Sequence, residues 1–333
     1  MAKKKVLVGV DVGGTSLFAV VTSSKGKILG ERRRKTHAEE GAGAVLERMI
    51  GTIERAMVEA GVKQKDLRAV GIGMPGPLNP VTGVVYHAPN LGPTWNNTPV
   101  AAYVSERLGC AAHLDNDVNV GAVGEQELGA ARSCDSAVTI FVGTGIGGGI
   151  ILNGELYRGQ RYTAGEVGHT ILLADGPLCG CGRRGCAEAL ASRTAIEREI
   201  RSGITAGRES VIPRLLEENG RTTISSGVLG EALERGDTLT QEVMSKAQYY
   251  MGLLVANVVN ILDPQVVVLG GGVVERLGAG YVDPVREVAE QFYLNQQDKD
   301  QVRIVESELK DYAGVLGAAM LAKQLSRRGK KKK

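Results

Sequence analysis

The sequence predicts an α/β protein built from two similar halves, and three patterns carry that expectation. β-Branched apolar runs alternate with stretches of helical periodicity along the chain. A strand, a glycine-rich turn and a second strand follow one another near residues 6–22 and again near residues 137–157. Residues 67–74 and 265–269 read as buried strands, the first closed by Pro75-Gly76-Pro77 and the second by Gly270-Gly271-Gly272. At 333 residues the chain has length for about two domains.

Taken in order, residues 5–15 read as a strand entering a glycine turn, with 17–22 and 27–35 as antiparallel neighbours. Val45, Met49, Ile53, Ala56 and Met57 recur at helical spacing within 42–60, and Gly61 stops that helix. Residues 99–108 read as a helix, 111–114 as a strand carrying Asp115-Asn116-Asp117 at its end, and 118–130 as a further helix. The second half starts with a strand at 137–142 and a glycine turn at 143–149. Short strands at 150–152 and 155–157 follow, joined by Asn153-Gly154, a strong hairpin signal. Helices are expected near 193–202, 226–235 and 239–262, then strands at 265–269 and 302–305 and a last helix at 313–325. The expected domains are 1–130, joined by the C-terminal helix 313–326, and a larger 131–312, with a cleft between them and a basic disordered tail at 327–333.

Composition excludes several classes. Apolar residues make up 43% and charged residues 23%, which suits a water-soluble core-forming chain. The formal charge is +3, but Lys3, Lys4, Lys5, Arg327, Arg328 and Lys330 to Lys333 supply nine positive charges at the two ends. Without them the body carries −6, so no nucleic-acid partner is expected. The start does not resemble a signal peptide, and the longest apolar stretch, 249–262, is too short for a bilayer. Free thiols without a membrane signal point to the cytoplasm.

The densest chemistry lies between residues 165 and 188. Cys179, Cys181 and Cys186 fall within eight residues, interleaved with glycines, and His169 stands ten residues upstream of the first. Three thiolates and an imidazole make a closed tetrahedral set for a structural zinc ion; the alternative is three unrelated buried cysteines. Glu166 and Glu188 flank the set, so a metal knot there would fix two carboxylates that the metal itself does not need.

The two glycine turns carry polar groups of their own. Asp11-Val12-Gly13-Gly14-Thr15 offers a carboxylate, two bare backbones and a hydroxyl, and the second turn offers Thr144 among glycines. Bare N–H groups suit phosphate oxygens, and Asp11 suits a magnesium ion held through water. Gly143, Gly145 and Gly148 also match G-x-G-x-x-G, but a dinucleotide fold needs a helix next, and a strand and hairpin follow here. Asn116-Asp117 sits at a strand-to-helix corner, the usual place for ligand contacts in open α/β sheets; plain helix capping by Asp117 is the alternative. With Glu166, His169 and Glu188 these residues suit a polyhydroxylated ligand, and Asp117 suits a base taking a hydroxyl proton during phosphorylation. Asn90 and Trp95 lie in a proline-bearing loop suited to covering such a ligand, although Trp95 suits core packing equally.

Together these motifs resemble the ROK family (repressors, open reading frames and sugar kinases) of the actin-like ATPase superfamily. The likeness spans the chain through residues 11–15, Asn116-Asp117, 144–149, 166–169, 179–188 and 270–272. It implies the actin-like, ribonuclease H-like fold, with two duplicated α/β domains. It implies Asp117 as catalytic base, and Gly76, Asn90, Asn116, Asp117, Glu166, His169 and Glu188 around a hexose. ATP and Mg2+ would meet Asp11, Gly13, Gly14, Thr15, Thr144, Gly145 and Gly147, with Gly271 and Gly272 near the nucleoside. Structural Zn2+ would bind His169, Cys179, Cys181 and Cys186, so His169 would serve metal and sugar through its two nitrogens. Ser16 departs from the asparagine or lysine common in such kinases after the Asp-x-Gly-Gly-Thr motif, which leaves the donor less defined.

The implied activity is ATP-dependent phosphorylation of a hexose, with glucose expected because the Trp95 loop is similar to that of glucokinases. N-acetylglucosamine, N-acetylmannosamine, mannose and fructose remain alternatives, as does polyphosphate as donor. A sugar-responsive repressor is the distant alternative, since such members carry a winged-helix domain ahead of the first glycine turn, where Asp11 leaves room for one strand. A homodimer or higher homo-oligomer is expected.

Overall fold

In the computed structural model, which describes residues 5–331, two five-stranded mixed sheets share one strand order. The first begins with an antiparallel meander, β1 (Val6–Val12), β2 (Ser16–Thr22) and β3 (Ile28–Lys35). Helix α1 (Ala42–Glu59) leads to β4 (Leu67–Met74), parallel to β1. A small ribbon, β5 (Leu78–Asn79) and β6 (Val84–Val85), precedes α2 (Val100–Leu108). Strand β7 (Ala111–Asn116) then runs parallel to β4 and feeds α3 (Asp117–Leu128), giving the order β3-β2-β1-β4-β7.

The second sheet repeats the scheme. Strands β8 (Ala137–Val142), β9 (Ile146–Leu152) and β10 (Glu155–Tyr157) form its meander. Five helices follow: α4 (Ala187–Ala191), α5 (Arg193–Thr205), α6 (Ile212–Glu218), α7 (Ser226–Glu234) and α8 (Thr238–Leu262). Ser192, Ser225 and Asp237 cap α5, α7 and α8 by accepting backbone N–H groups, each cap being worth about 1 kcal/mol. Strand β11 (Val266–Gly270) is parallel to β8 and, after α9 (Gly272–Leu277) and α10 (Ala279–Gln291), β12 (Arg303–Glu306) completes the order β10-β9-β8-β11-β12. Helix α11 (Ala313–Lys331) ends the described chain.

By packing, the chain divides into two compact units. One comprises Met1–Ser133, Gly149–Ala164 and Asp311–Lys333, the other Cys134–Gly148 and Gly165–Lys310. In the first unit β1 and β4 are largely apolar, Asp11 and Arg68 aside, because both faces are covered. On one side Val8, Val10, Ile72 and Met74 pack with α1 and α2; on the other Leu7 and Ala69 pack with Val120, Val123 and residues 318–322. Gly9 and Gly71 let α11 lie directly on the strands, since a Cβ at either would overlap the carbonyl oxygen of Val315 or Ala318.

Several expectations are corrected. Gly147, Gly148 and Gly149 belong to β9, so the second glycine turn is only Gly143 to Gly145. A Cβ on Gly149 would come within 2.5 Å of the Ala122 methyl, which is why a strand there carries glycine. Of the two readings open for Trp95, core packing is the one observed, the residue being 1% exposed. Helices α4, α6, α9 and α10 have no counterpart in the sequence reading; α4 and α9 are too short to show a period, and α10 carries Pro284 inside it. The basic tail begins as helix, α11 continuing to Lys331. Lys3, Lys4, Lys332 and Lys333 lie outside the described residues. Among the described residues no helix is long and apolar enough to cross a membrane.

Candidate active site

In the first unit, the parallel register lines up the C-terminal ends of three strands: Asp11 of β1 pairs with Gly73 of β4, and Gly73 pairs with Asp115 of β7. This is where open α/β sheets bind ligands. The turn after β1 is a tight one, with Gly13 N–H donating to the Ser16 carbonyl at 2.8 Å. A Cβ on Gly14 would stand 2.9 Å from the Asn90 carbonyl, so the expected phosphate turn and the Asn90 loop lie against each other. Asn90 itself is exposed. Gly76 has φ +97°, and a Cβ there would meet the His87 carbonyl at 2.5 Å, which holds the same loop to the end of β4. Thr36 locks the turn from β3, its hydroxyl donating to the Gly13 carbonyl at 2.6 Å.

Asn116 and Asp117 occupy the β7–α3 corner. The Asn116 side-chain oxygen caps α3 by accepting from Val118 N at 2.9 Å and Asn119 N at 3.3 Å, which leaves its Nδ2 for another partner. Asp117 opens the helix, and its charge is felt at Asp11. Burial first, then Asp117, pushes the Asp11 carboxyl up to about 7, against a smaller opposing pull from Arg33. Two carboxyls repelling each other at neighbouring strand ends is an arrangement that invites a cation.

In the second unit, several of the expected residues meet at or beside the turn between β8 and β9. Arg193 N–H donates to the Gly143 carbonyl at 2.9 Å, and the Thr194 hydroxyl donates to the Thr144 carbonyl at 2.7 Å. Glu188 Oε2 accepts from Ile146 N at 3.0 Å, and Gly145 has no Cβ because that carboxylate occupies the space. Gly168 sits on the Ile146 carbonyl in the same way. Gly271, with φ +85°, turns the chain after β11 with its α-carbon against Val142, beside the same turn. Glu166 is exposed at the start of the short 3-10 turn Val167–His169, and His169 and Glu188 are half-buried.

His169, Cys179, Cys181 and Cys186 place one ligand atom each within 4.8 Å of one another. Zinc bonds of about 2.3 Å to sulfur and about 2.0 Å to nitrogen give tetrahedral edges of about 3.8 Å between sulfurs and about 3.5 Å from sulfur to nitrogen. Cys181 and Cys186 Sγ are 3.7 Å apart, and Cys179 Sγ is 3.7 Å from His169 Nδ1. The donor set therefore fits zinc, and the sulfurs are too far apart for a disulfide. Hydrogen bonds from Arg183 hold the Cys181 thiol down to about 6, whereas burial pushes Cys179 up to about 12 and raises Cys186, so the case for a metal rests on the geometry of the four donors.

The chain matches the ROK family over residues 7–325. It belongs to that family. It is 35% identical over 321 residues to a glucokinase from Thermotoga maritima, a span of 96% of this chain and 98% of that one. It is 30% identical over 311 residues to a xylose repressor from Caldicellulosiruptor bescii, covering 93% of this chain and 76% of the repressor. Among solved structures it resembles a ROK family glucokinase from Streptomyces griseus in complex with glucose and AMPPNP. That likeness has a TM-score of 0.83 and 31% identity, and covers 96% of this chain and 99% of the other. The fold is accordingly the actin-like ATPase fold, and the doubled strand order is its duplication.

The sequence motifs pointed to each of these corners; Gly147 lies in β9, two residues beyond Gly145. They missed Thr194, which steadies the second turn, and the pairing of Asp115 with Arg158, whose Nε donates to Asp115 Oδ2 at 2.7 Å. Asp115 was visible beside Asn116; its partner, 43 residues away in the loop after β10, gives no local signal.

Proposed function

We propose that this chain is an ATP-dependent hexose kinase that converts glucose to glucose 6-phosphate. The observation that carries the reading is the strand-tip corner of the first unit. Asn116 spends its oxygen on the helix cap, while Asp117, next in the chain, stands near a second carboxyl whose burden of negative charge a nucleotide-borne cation would relieve. Asp117 takes the proton of the sugar 6-hydroxyl as that oxygen attacks the γ-phosphorus and the bond to the β-phosphate breaks, releasing ADP. Such base catalysis contributes about 10²–10⁴-fold, and the remainder is positioning and charge stabilisation.

Glu166, His169, Glu188, Gly76, Asn90 and Asn116 are assigned to the sugar. Gly13, Gly14, Thr15, Thr144 and Gly145 are assigned to the phosphates, and Gly271 and Gly272 to the nucleoside. Asp11 is the residue assigned to magnesium, which neutralises phosphate charge when bound. His169, Cys179, Cys181 and Cys186 would hold a structural zinc ion. With His169 Nδ1 turned to Cys179, Nε2 is the nitrogen available to a hydroxyl. We place the reaction in the cytoplasm and expect a homodimer or larger homo-oligomer, with no nucleic-acid partner.

A coupled assay over glucose, mannose, fructose, N-acetylglucosamine and N-acetylmannosamine, each with ATP or polyphosphate, tests the assignment. Glucose with ATP should give the highest kcat/KM; a higher value for another pair would reassign sugar or donor. A second reading, a sugar sensor without catalysis, comes from the likeness to the xylose repressor. It predicts sugar binding by calorimetry with no ATP consumed.

A further inference from the structure

Asp115 is 1% exposed, yet it lies at the end of β7, one residue before the corner just described. Its carboxylate is shared among three segments. Oδ1 accepts from Asn116 N at 2.9 Å and from Asn119 Nδ2 at 2.9 Å, while Oδ2 accepts from Arg158 Nε at 2.7 Å. Thus one buried carboxylate ties the strand end, the first turn of α3 and the loop after β10 together around Asp117. Arg158 is the only charged side chain paired with it among the described residues, and its own side chain is 22% exposed. The Arg158 carbonyl also accepts from Ala164 N at 3.1 Å, closing the loop that continues into Gly165 and Glu166.

A lone carboxylate buried this deeply would be strongly unfavourable, so the pair exists only as a unit. A buried pair is weak evidence for stability, since an apolar pair of similar volume often serves the fold as well or better. Its geometry must therefore be explained by what it holds. Asn116 is fixed from both ends, by its N–H on Asp115 and by its side chain on the helix cap. Asp117 follows with no freedom left in the preceding residue. A base that must meet a hydroxyl within hydrogen-bond reach gains from this, because small misplacements at a reacting centre reduce rates steeply.

We infer that Arg158 is a positioning residue for phosphoryl transfer, acting through Asp115 to hold Asn116 and Asp117 at the end of β7. The inference rests on the kinase reading above and adds a residue that does not itself touch the substrate.

The test compares Arg158→Met, Arg158→Lys and the double variant Asp115→Asn/Arg158→Met with wild type, alongside Asp117→Asn. Arg158→Met leaves Asp115 buried and unpaired and is the variant at risk of unfolding. The double variant removes both charges and should melt near the wild-type temperature. If Arg158 positions the base, the stable double variant still loses tenfold or more in kcat while KM for ATP stays within about twofold, and Arg158→Lys recovers part of the rate. If the double variant melts like wild type and keeps wild-type kcat, Arg158 is structural only and the inference is overturned. Asp117→Asn separates this from the underlying reading. Loss of turnover there with full activity in the double variant rejects the positioning role alone, whereas full turnover in Asp117→Asn rejects the assignment of the base on which that role depends.

Discussion

The Asp11 carboxyl stands at the end of β1 with Asp117 and Asp311 as negative neighbours and Arg33 as the positive one, and burial raises it from 3.8 to about 7. A raised folded pKa means that the folded protein holds this proton more tightly than the unfolded chain. The stabilisation from Asp11 is therefore fully present below about pH 3.8 and is lost as pH rises to about 7. At pH 8 the ligand-free protein carries an ionised carboxyl in an unfavourable place. Asp11→Asn should then melt at a higher temperature than wild type at pH 8, with the difference shrinking towards pH 4, while kinase activity falls. A melting curve for Asp11→Asn that lies below wild type at pH 8 would show that the Asp11 charge is already compensated. Residues such as Asp11 and Asp117 were legible because they end strands beside glycine or asparagine. Arg158 was not, since an ion pair across 43 residues leaves no mark on either neighbourhood.

Helix α4 and the 3-10 turn at Val167–His169 grip the β8–β9 turn through Ile146, one by its N–H and the other at its carbonyl. The two glycines involved should respond differently to a methyl group. Gly145→Ala meets only the flexible end of Glu188, so the fold should survive while the carboxylate is pushed aside, and KM for the sugar should rise several-fold. Gly168→Ala meets the Ile146 backbone itself, and overpacking against atoms that cannot yield costs about 1–3 kcal/mol. Chemical denaturation should show the larger loss for Gly168→Ala; equal losses would mean that Glu188 is as fixed as the backbone. The metal set spans the same segment, with His169 on the turn, Cys186 at the N-cap of α4, and Cys179 and Cys181 in the loop between. Metal analysis should find about one zinc per chain, reduced in Cys181→Ala together with thermal stability. Full stability and activity in metal-free protein would remove zinc from the account. At this scale the strands and the longer helices could be read from apolar period, whereas α4, α9 and α10 could not, being short or interrupted by Pro284.

Across the whole molecule, one strand order used twice explains why two glycine turns occur at equivalent points, after β1 and after β8. The sequence showed that repetition through its strand–turn–strand units, and it showed the cysteine set through spacing alone. It misjudged the length of the second turn, because Gly147 to Gly149 lie in β9, where Gly148 and Gly149 serve close packing: a Cβ on Gly148 would crowd the Gly165 carbonyl at 2.8 Å. For Trp95 the sequence left ligand cover and core packing open, and the residue is buried. The account stands on Asp117 as the base of an ATP-dependent hexose kinase, and the most direct test is to follow glucose 6-phosphate formation from glucose and ATP in wild type and Asp117→Asn. The account predicts rapid product formation by wild type and a loss of about 10²–10⁴-fold or more in kcat for the variant, with glucose still bound in calorimetry. No product from wild type, or near-normal turnover by Asp117→Asn, would contradict it.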